Sequence, residues 1–189
     1  MKRTVVLFAN ILALLAASPA WASIADRVLG IDVGVNLPLQ NFANATGTQF
    51  GALIRYEHKL QPKMALTLRG GWLRGSEREI TVGATKFSVG IDSTTVLAGL
   101  VYRESGTPEG LFATGELGVN WPSSHSAAAV ASTTATASAA SPTQYCGSIG
   151  VGYRTGPLSF RGAGLVQDLS HSSDSMGALF TVGWDFKTL

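Results

Sequence analysis

The sequence predicts an all-β chain whose strands close into an antiparallel barrel with the apolar face outward. Eight segments of about ten residues alternate apolar and polar side chains with a period of two, as β-strands with two unlike faces do. The polar faces mix opposite charges with many glycines, and aromatic residues gather near the segment ends. The segments end at Gly, Pro, Asn or Ser, and the connections between them alternate between short and long.

The N-terminus predicts a cleaved export signal over residues 1–22. It has a basic start, an apolar stretch over residues 4–17, and small residues, Ala20 and Ala22, at the −3 and −1 positions. That stretch is shorter than the roughly 20 residues that a helix needs to cross a bilayer. We therefore expect residues 23–189 to form one exported domain.

Charge and cysteine content exclude two classes of protein. The signal holds two of the 14 lysines and arginines and none of the 12 acidic residues, so the mature chain carries 12 of each sign. Without a basic stripe, nucleic acid is not an expected partner. Cys146 is the one cysteine, so no disulfide forms within the chain, unlike the many small secreted domains that are held by several.

The first segment, VLGIDVGVNLP, shows the pattern most clearly: Leu29, Ile31 and Val33 alternate with small and polar residues. Seven further segments repeat it. The eight predicted strands cover residues 28–38, 49–58, 64–74, 92–103, 111–121, 145–154, 158–168 and 176–187. Residues 78–91 are predicted to extend the third and fourth strands as a projecting hairpin, with a ninth short strand as the alternative.

Residues 122–142 form a low-complexity Ala/Ser/Thr connection without a periodic apolar face. Such composition favours a mobile external loop. The alanine content leaves a short helix as the alternative.

The composition of the two faces decides which one meets water. A soluble sandwich or a lipocalin-like barrel would enclose the apolar face and expose the polar face to water. The many glycines argue against this, because glycine weakens a strand and marks a close approach of other groups. Small residues around a few opposite charges suit a crowded interior instead. Aromatic residues at the strand ends match the girdles of transmembrane barrels. The girdle is predicted from Tyr56, Trp72, Tyr102, Trp121, Tyr145, Tyr153, Phe160, Trp184 and Phe186.

The enclosed charges predict an ion-pair network that fills the lumen, because an eight-stranded barrel is just wide enough for its own side chains. A narrow ion-conducting channel is the alternative. The network is predicted from Asp32, Arg55, Glu57, Arg69, Glu116, Arg154, Arg161 and Asp185.

The chain thus resembles the small eight-stranded outer-membrane β-barrel proteins, the group that includes the transmembrane domain of outer-membrane protein A. The final segment, TVGWDFKTL, is similar to the C-terminal signal that the outer-membrane assembly machinery reads, although it ends in Lys-Thr-Leu rather than in an aromatic residue. The resemblance implies an eight-stranded up-and-down transmembrane barrel in the outer membrane. It also implies contact with outer-membrane lipids, lipopolysaccharide and the assembly machinery.

A short motif near the C-terminus raises an enzymatic alternative. His171 and Ser173 form a His-x-Ser pair that resembles the site of the lipid A deacylases, where the histidine would activate the serine. Asp185 or Asp174 would orient His171. The motif is three residues long, and the main prediction remains a protein that is not an enzyme, with no cofactor and no metal site.

The predicted function is a structural or surface-interaction role, carried by the connections at 75–91 and 122–142. The alternatives are the narrow channel, the lipid A deacylase and a soluble secreted β-protein. The sequence names no external partner.

Overall fold

The computed structural model describes residues 27–82, 85–130 and 133–186, so the signal predicted over residues 1–22 lies outside the described residues. The strands are β1 (Arg27–Pro38), β2 (Gln49–Gln61), β3 (Met64–Gly75), β4 (Arg78–Val82), β5 (Thr85–Arg103), β6 (Gly110–Val130), β7 (Thr133–Ala140), β8 (Gln144–Thr155), β9 (Leu158–Val166) and β10 (Met176–Phe186). A short helix, α1 (Phe42–Ala45), follows β1, and a 3₁₀ helix (Leu169–Asp174) precedes β10. Within the described ranges, no helix is long and apolar enough to cross a membrane.

Eight of these strands form a closed antiparallel barrel. Around the barrel the order is β1, β2, β3, β5, β6, β8, β9 and β10, and β10 pairs back onto β1 with Trp184 opposite Ile31. Each barrel strand pairs with its neighbours in chain sequence, apart from the short insertions β4 and β7. The predicted fold class, an eight-stranded up-and-down barrel, is confirmed.

A four-stranded sheet continues beyond one end of the barrel. The first part of β5 and the last part of β6 pair from Asp92 opposite Ser123 up to Thr85 opposite Val130. Strand β4 pairs with β5 on one side, and β7 pairs with β6 on the other. We call residues 78–82, 85–92, 123–130 and 133–140 the projecting sheet. Residues 78–91 thus extend the third and fourth predicted strands, with β4 as a separate short strand after a break at residues 76–77.

The irregular loop expected over residues 122–142 is instead a β-hairpin, formed by the end of β6 and by β7. Along β7, Thr134, Thr136 and Ser138 alternate with alanines. The segment therefore has the period of a strand, but neither of its faces is strongly apolar. The extension of β5 supplies a hydrogen-bonding edge for β6. That edge is a tertiary feature, and the local composition alone does not reveal it.

The barrel exterior is apolar. Ile149 and Tyr145 are each 75% exposed, and Leu117 and Val151 each 67%. Of the predicted girdle, Tyr56 and Trp121 are half-buried and the other seven are exposed. Three lie toward the strand ends with the long connections, and six toward the opposite ends. The first group is Trp72, Trp121 and Tyr145; the second is Tyr56, Tyr102, Tyr153, Phe160, Trp184 and Phe186.

The connection between β1 and β2 lies at the end of the barrel from which the sheet projects. Phe42 on α1 is buried, at 5% exposed. Asn41 Nδ2 donates a hydrogen bond to Asp174 Oδ1 at 2.8 Å, and Leu39 N–H donates to Met176 O at 2.8 Å. These bonds tie the short helix to the segment that precedes β10.

Candidate functional site: the lumen and the projecting sheet

The structure places all eight of the predicted interior charges inside the barrel. Asp185 is half-buried and the other seven are buried. Arg103, which lies on the same inward face of β5, joins them at 4% exposed. We call these nine residues the charge network. Its members are Asp32, Arg55, Glu57, Arg69, Arg103, Glu116, Arg154, Arg161 and Asp185.

Arg55 is the centre of the charge network, because its guanidinium group contacts three carboxylates. Nε lies 3.1 Å from Asp32 Oδ1, Nη1 lies 2.7 Å from Glu57 Oε1, and Nη2 lies 2.5 Å from Asp185 Oδ1. A planar guanidinium with five N–H donors is suited to such branching. Strands β1, β2 and β10 are thereby joined through one side chain as well as through their backbones.

Glu57 accepts from three arginines. Arg55 Nη1 and Arg154 Nη2 each lie 2.7 Å from its Oε1, and Arg103 Nη2 lies 2.5 Å from its Oε2. Arg154 also stacks on the ring of Phe112, with 5.7 Å between its guanidinium carbon and the ring centroid. Charges enclosed away from water are stable only when they are paired in this way.

A second group of ion pairs links β3, β6 and β9. Arg69 Nη2 lies 2.7 Å from Asp32 Oδ2, and Arg69 Nη1 lies 3.6 Å from Glu116 Oε2. Arg161 Nη2 lies 2.6 Å from the same glutamate oxygen. Asp32 thus connects the two groups, so the pairs form one continuous network.

Glycines on the inner face make room for these long side chains. A Cβ atom on Gly183 would lie 2.2 Å from Asp32 Oδ1, and one on Gly30 would lie 3.0 Å from Arg55 Nη2. A side chain at either position would collide with the ion pairs. The glycines that argued against a solvated polar face therefore have a packing role.

Above the charge network lies a layer of buried apolar side chains, which the sequence analysis missed. We call it the leucine layer: Leu53, Leu73, Leu97, Cys146, Leu165 and Leu179. Each is at most 2% exposed. These residues occupy inward positions, so they interrupt the polar face of their strands. The sequence signal for this layer is a leucine at an inward position, one residue away from the outward apolar residues of the same strand.

The third level of the lumen is a set of buried hydroxyl and amide groups, the amide layer: Asn36, Gln49, Ser93, Thr95, Asn120 and Gln167. Asn36 Nδ2 donates to Gln49 Oε1 at 2.7 Å, and Gln167 Nε2 donates to the same oxygen at 2.6 Å. Thr95 Oγ1 donates to Asn120 Oδ1 at 2.9 Å. These groups bond mainly to one another, and among the described residues of the layer Asn36 Oδ1 is buried without a hydrogen-bond partner.

The order of the three levels follows along single strands. On β2 the inward residues run from Glu57 and Arg55 through Leu53 to Gln49. Leu165 on β9 likewise lies between Arg161 and Gln167, the residue that follows the strand. An ion moving through the lumen would have to pass the buried apolar side chains of the leucine layer after leaving the charges. The geometry therefore favours a filled lumen over the channel alternative.

The residues of the enzymatic alternative are not brought together. His171 Nδ1 lies 3.2 Å from Asp168 Oδ2 and 3.1 Å from Ser170 Oγ, whereas Ser173 Oγ donates to Asp174 Oδ1 at 3.3 Å. Asp185, the other residue expected to orient His171, lies in the charge network near the C-terminal end of β10. Since the 3₁₀ helix that carries His171 precedes the first residue of β10, the length of this strand separates the two residues.

Asp168 is the residue that contacts His171, and its side chain caps the N-terminus of the 3₁₀ helix by accepting a hydrogen bond from Ser170 N–H. Its slight burial raises its pKa, but hydrogen bonds from the Ser170 hydroxyl and N–H, and the neighbouring His171, hold the pKa below its usual range. Within the described ranges, no group of three or more His, Cys, Asp or Glu is placed to hold a metal ion.

The projecting sheet has two edges of different character. The β4 edge carries Arg78 and Glu79, and charges of this kind discourage further strand pairing. The β7 edge has the sequence TTATASAA, without a charge or a proline, and its side chains from residue 135 to 140 are exposed. In the described part of the chain, β7 pairs with β6 alone.

Two solved structures of a known protein share this architecture. Ail, the attachment invasion locus protein of Yersinia pestis, is 13% identical with a TM-score of 0.51, over 85% of this chain and 97% of Ail. Its complex with the heparin analogue sucrose octasulfate gives 14% identity and a TM-score of 0.52 over the same shares. No family model matches the sequence, and no curated protein matches it.

At this level of identity the likeness shows the fold. An eight-stranded barrel with an apolar exterior and enclosed charges is a transmembrane barrel, since lipid cannot satisfy an open sheet edge. The fold and the surface together define this chain as a small eight-stranded transmembrane β-barrel protein of the outer-membrane type.

Proposed function

We propose that the protein is a surface-interaction protein, in which the filled barrel anchors the projecting sheet and β7 recruits an extended segment of an external protein. The observation that carries this proposal is the β7 edge: an uncharged, exposed strand that, within the described residues, pairs only with β6. An edge of this kind is a template for strand addition, in which main-chain hydrogen bonds supply the affinity.

The register identifies which backbone groups are available. Ser141 N–H donates to Pro122 O at 3.0 Å, which makes this a hydrogen-bonded pair. Hydrogen-bonded and non-hydrogen-bonded pairs alternate in an antiparallel ladder. Residues 135, 137 and 139 therefore direct their N–H and C=O groups toward β6, and Thr136 and Ser138 direct theirs to the free edge.

The lumen supports the anchoring role. Ion pairs, the leucine layer and the amide layer join the barrel strands from inside, and β5 and β6 run from the barrel wall into the projecting sheet without a break. A partner bound to β7 would thus be held on a rigid support.

The test replaces one backbone donor on the free edge. Ser138→Pro removes an outward N–H while leaving the bonds to β6, and Ser138→Ala is the matched control that removes only the hydroxyl. The full chain in lipid nanodiscs is used to select binders from a phage-displayed library of random 12-residue peptides. We expect peptides that bind the parent protein and Ser138→Ala alike and lose at least tenfold affinity for Ser138→Pro.

Equal affinity of the selected peptides for Ser138→Pro would contradict the proposal, as would a selection that yields no binder. A shift in gel mobility on heating shows that each variant is folded before the comparison is made.

A further inference from the structure

The charge network encloses a small cavity of about 10 Å³, room for a single water molecule or a single monatomic ion little larger than water. Several polar atoms of the residues that line it are buried and have no hydrogen-bond partner. They are Thr67 Oγ1, Arg69 Nη1, Glu116 Oε1, Arg154 Nε, and both Nε and Nη1 of Arg161. Arg154 Nε lies 3.2 Å from Asp185 Oδ2, so it already faces a carboxylate. Thr67 and Arg69 are each 1% exposed and Arg161 is 8% exposed.

Donors outnumber acceptors among these atoms. The guanidinium nitrogens of Arg69 and Arg161 can only donate, the Thr67 hydroxyl can donate, and Glu116 Oε1 is the one carboxylate oxygen in the set. A single water molecule has about two lone pairs to offer, so it would leave donors unsatisfied. A monatomic anion accepts hydrogen bonds from every side.

The charge balance points the same way. Among the described residues, the charge network has five guanidinium groups and four carboxylates, a net charge of +1. An uncompensated charge removed from water costs several kcal/mol. One enclosed anion would make the network neutral. The cations are Arg55, Arg69, Arg103, Arg154 and Arg161, and the anions are Asp32, Glu57, Glu116 and Asp185.

We propose that the lumen binds one small inorganic anion of the halide class, held by Arg161, Arg69 and Thr67. Arg161 Nη2 is already used by Glu116 Oε2 at 2.6 Å and by Ser148 Oγ at 2.8 Å. Its Nε and Nη1 are the atoms that remain for the anion. The anion completes the network between β3 and β9, which lie across the lumen from each other, and stabilises the folded barrel.

Two measurements on the full chain, folded in detergent micelles, test this site. The thermal unfolding midpoint is measured while bromide replaces gluconate at constant ionic strength, and crystals grown in bromide are examined for anomalous scattering. We expect a saturable rise of the midpoint with bromide and an anomalous peak within hydrogen-bond distance of Arg161 and Thr67. A midpoint that does not respond to bromide, or bromide peaks only on the protein surface, would overturn the proposal.

A pair of variants assigns the effect to the cavity. Thr67→Val removes the hydroxyl donor at nearly constant shape, and we expect about tenfold weaker bromide affinity, as for loss of one hydrogen bond to a charged group. Thr95→Val removes a buried hydroxyl of the amide layer, whose partner is Asn120. It should lower stability and leave bromide affinity unchanged. Unchanged affinity in Thr67→Val would rule out this set of ligands.

Discussion

The lumen and the projecting sheet are built from the same two strands, yet they follow opposite rules. Below Asp92 and Ser123, the inward residues of β5 and β6 include Arg103, Glu116 and Leu97, which are buried and paired or packed in the lumen. Above that level β6 carries mainly Ala and Ser, β5 has a mixed sequence, and in the described part of the chain the outer edge of β7 has no strand partner. The interactions that hold the barrel together are enclosed, whereas the groups that a partner would use in the proposed function are main-chain groups of the projecting sheet.

Two glutamates make the sharpest comparison between these regions. Glu57 contacts three arginines inside the barrel, and Glu79 lies exposed on the β4 edge. Glu57→Gln would leave buried guanidinium groups without their shared carboxylate, and we expect a loss of about 3–5 kcal/mol in the free energy of unfolding. Urea titration of the barrel folded in lipid vesicles measures it.

The matched control is Glu79→Gln, which we expect to change the free energy of unfolding by no more than about 0.5 kcal/mol. Equal losses for the two variants would mean that the ion pairs in the lumen do not stabilise the barrel.

A smaller effect is expected for a charge placed on the outer surface. Ile149 lies at the middle of β8 and faces outward, so Ile149→Arg would set a charge near the bilayer centre. We expect a loss of about 2–4 kcal/mol in vesicles. Ala137→Arg, on the exposed β7 strand, is expected to stay within about 0.5 kcal/mol of the parent protein. An arginine tolerated equally at both positions would contradict the lipid-facing assignment of β8.

Alternation was enough to predict the barrel, because each strand has one face toward lipid and one toward the lumen. The same period predicted eight of the nine residues of the charge network. The prediction omitted Arg103, although Arg103 lies on the inward face of β5. The leucine layer was missed because inward leucines such as Leu53 and Leu97 look like outward ones in composition. A period of two gives the faces of a strand, and it does not tell which inward positions meet across the lumen.

Two other features depended on contacts between distant parts of the chain. The hairpin of β6 and β7 forms on the extended edge of β5, which local composition does not show. The pairing of His171 with Asp168 instead of Asp185 is fixed by the 3₁₀ helix, whereas Asp185 lies far along β10. Residues whose chemical types suit a shared site need not lie close together in the fold.

The central claim is that the apolar face of the barrel meets lipid while the projecting sheet meets water. Thiol labelling tests it most directly, in a Cys146→Ala background that removes the buried native thiol. Leu117→Cys and Ser138→Cys are treated with a membrane-impermeant maleimide on the protein in intact bilayers. We expect rapid labelling at position 138 and none at position 117 until the bilayer is dissolved and the protein unfolded. Equally rapid labelling at both positions would contradict it.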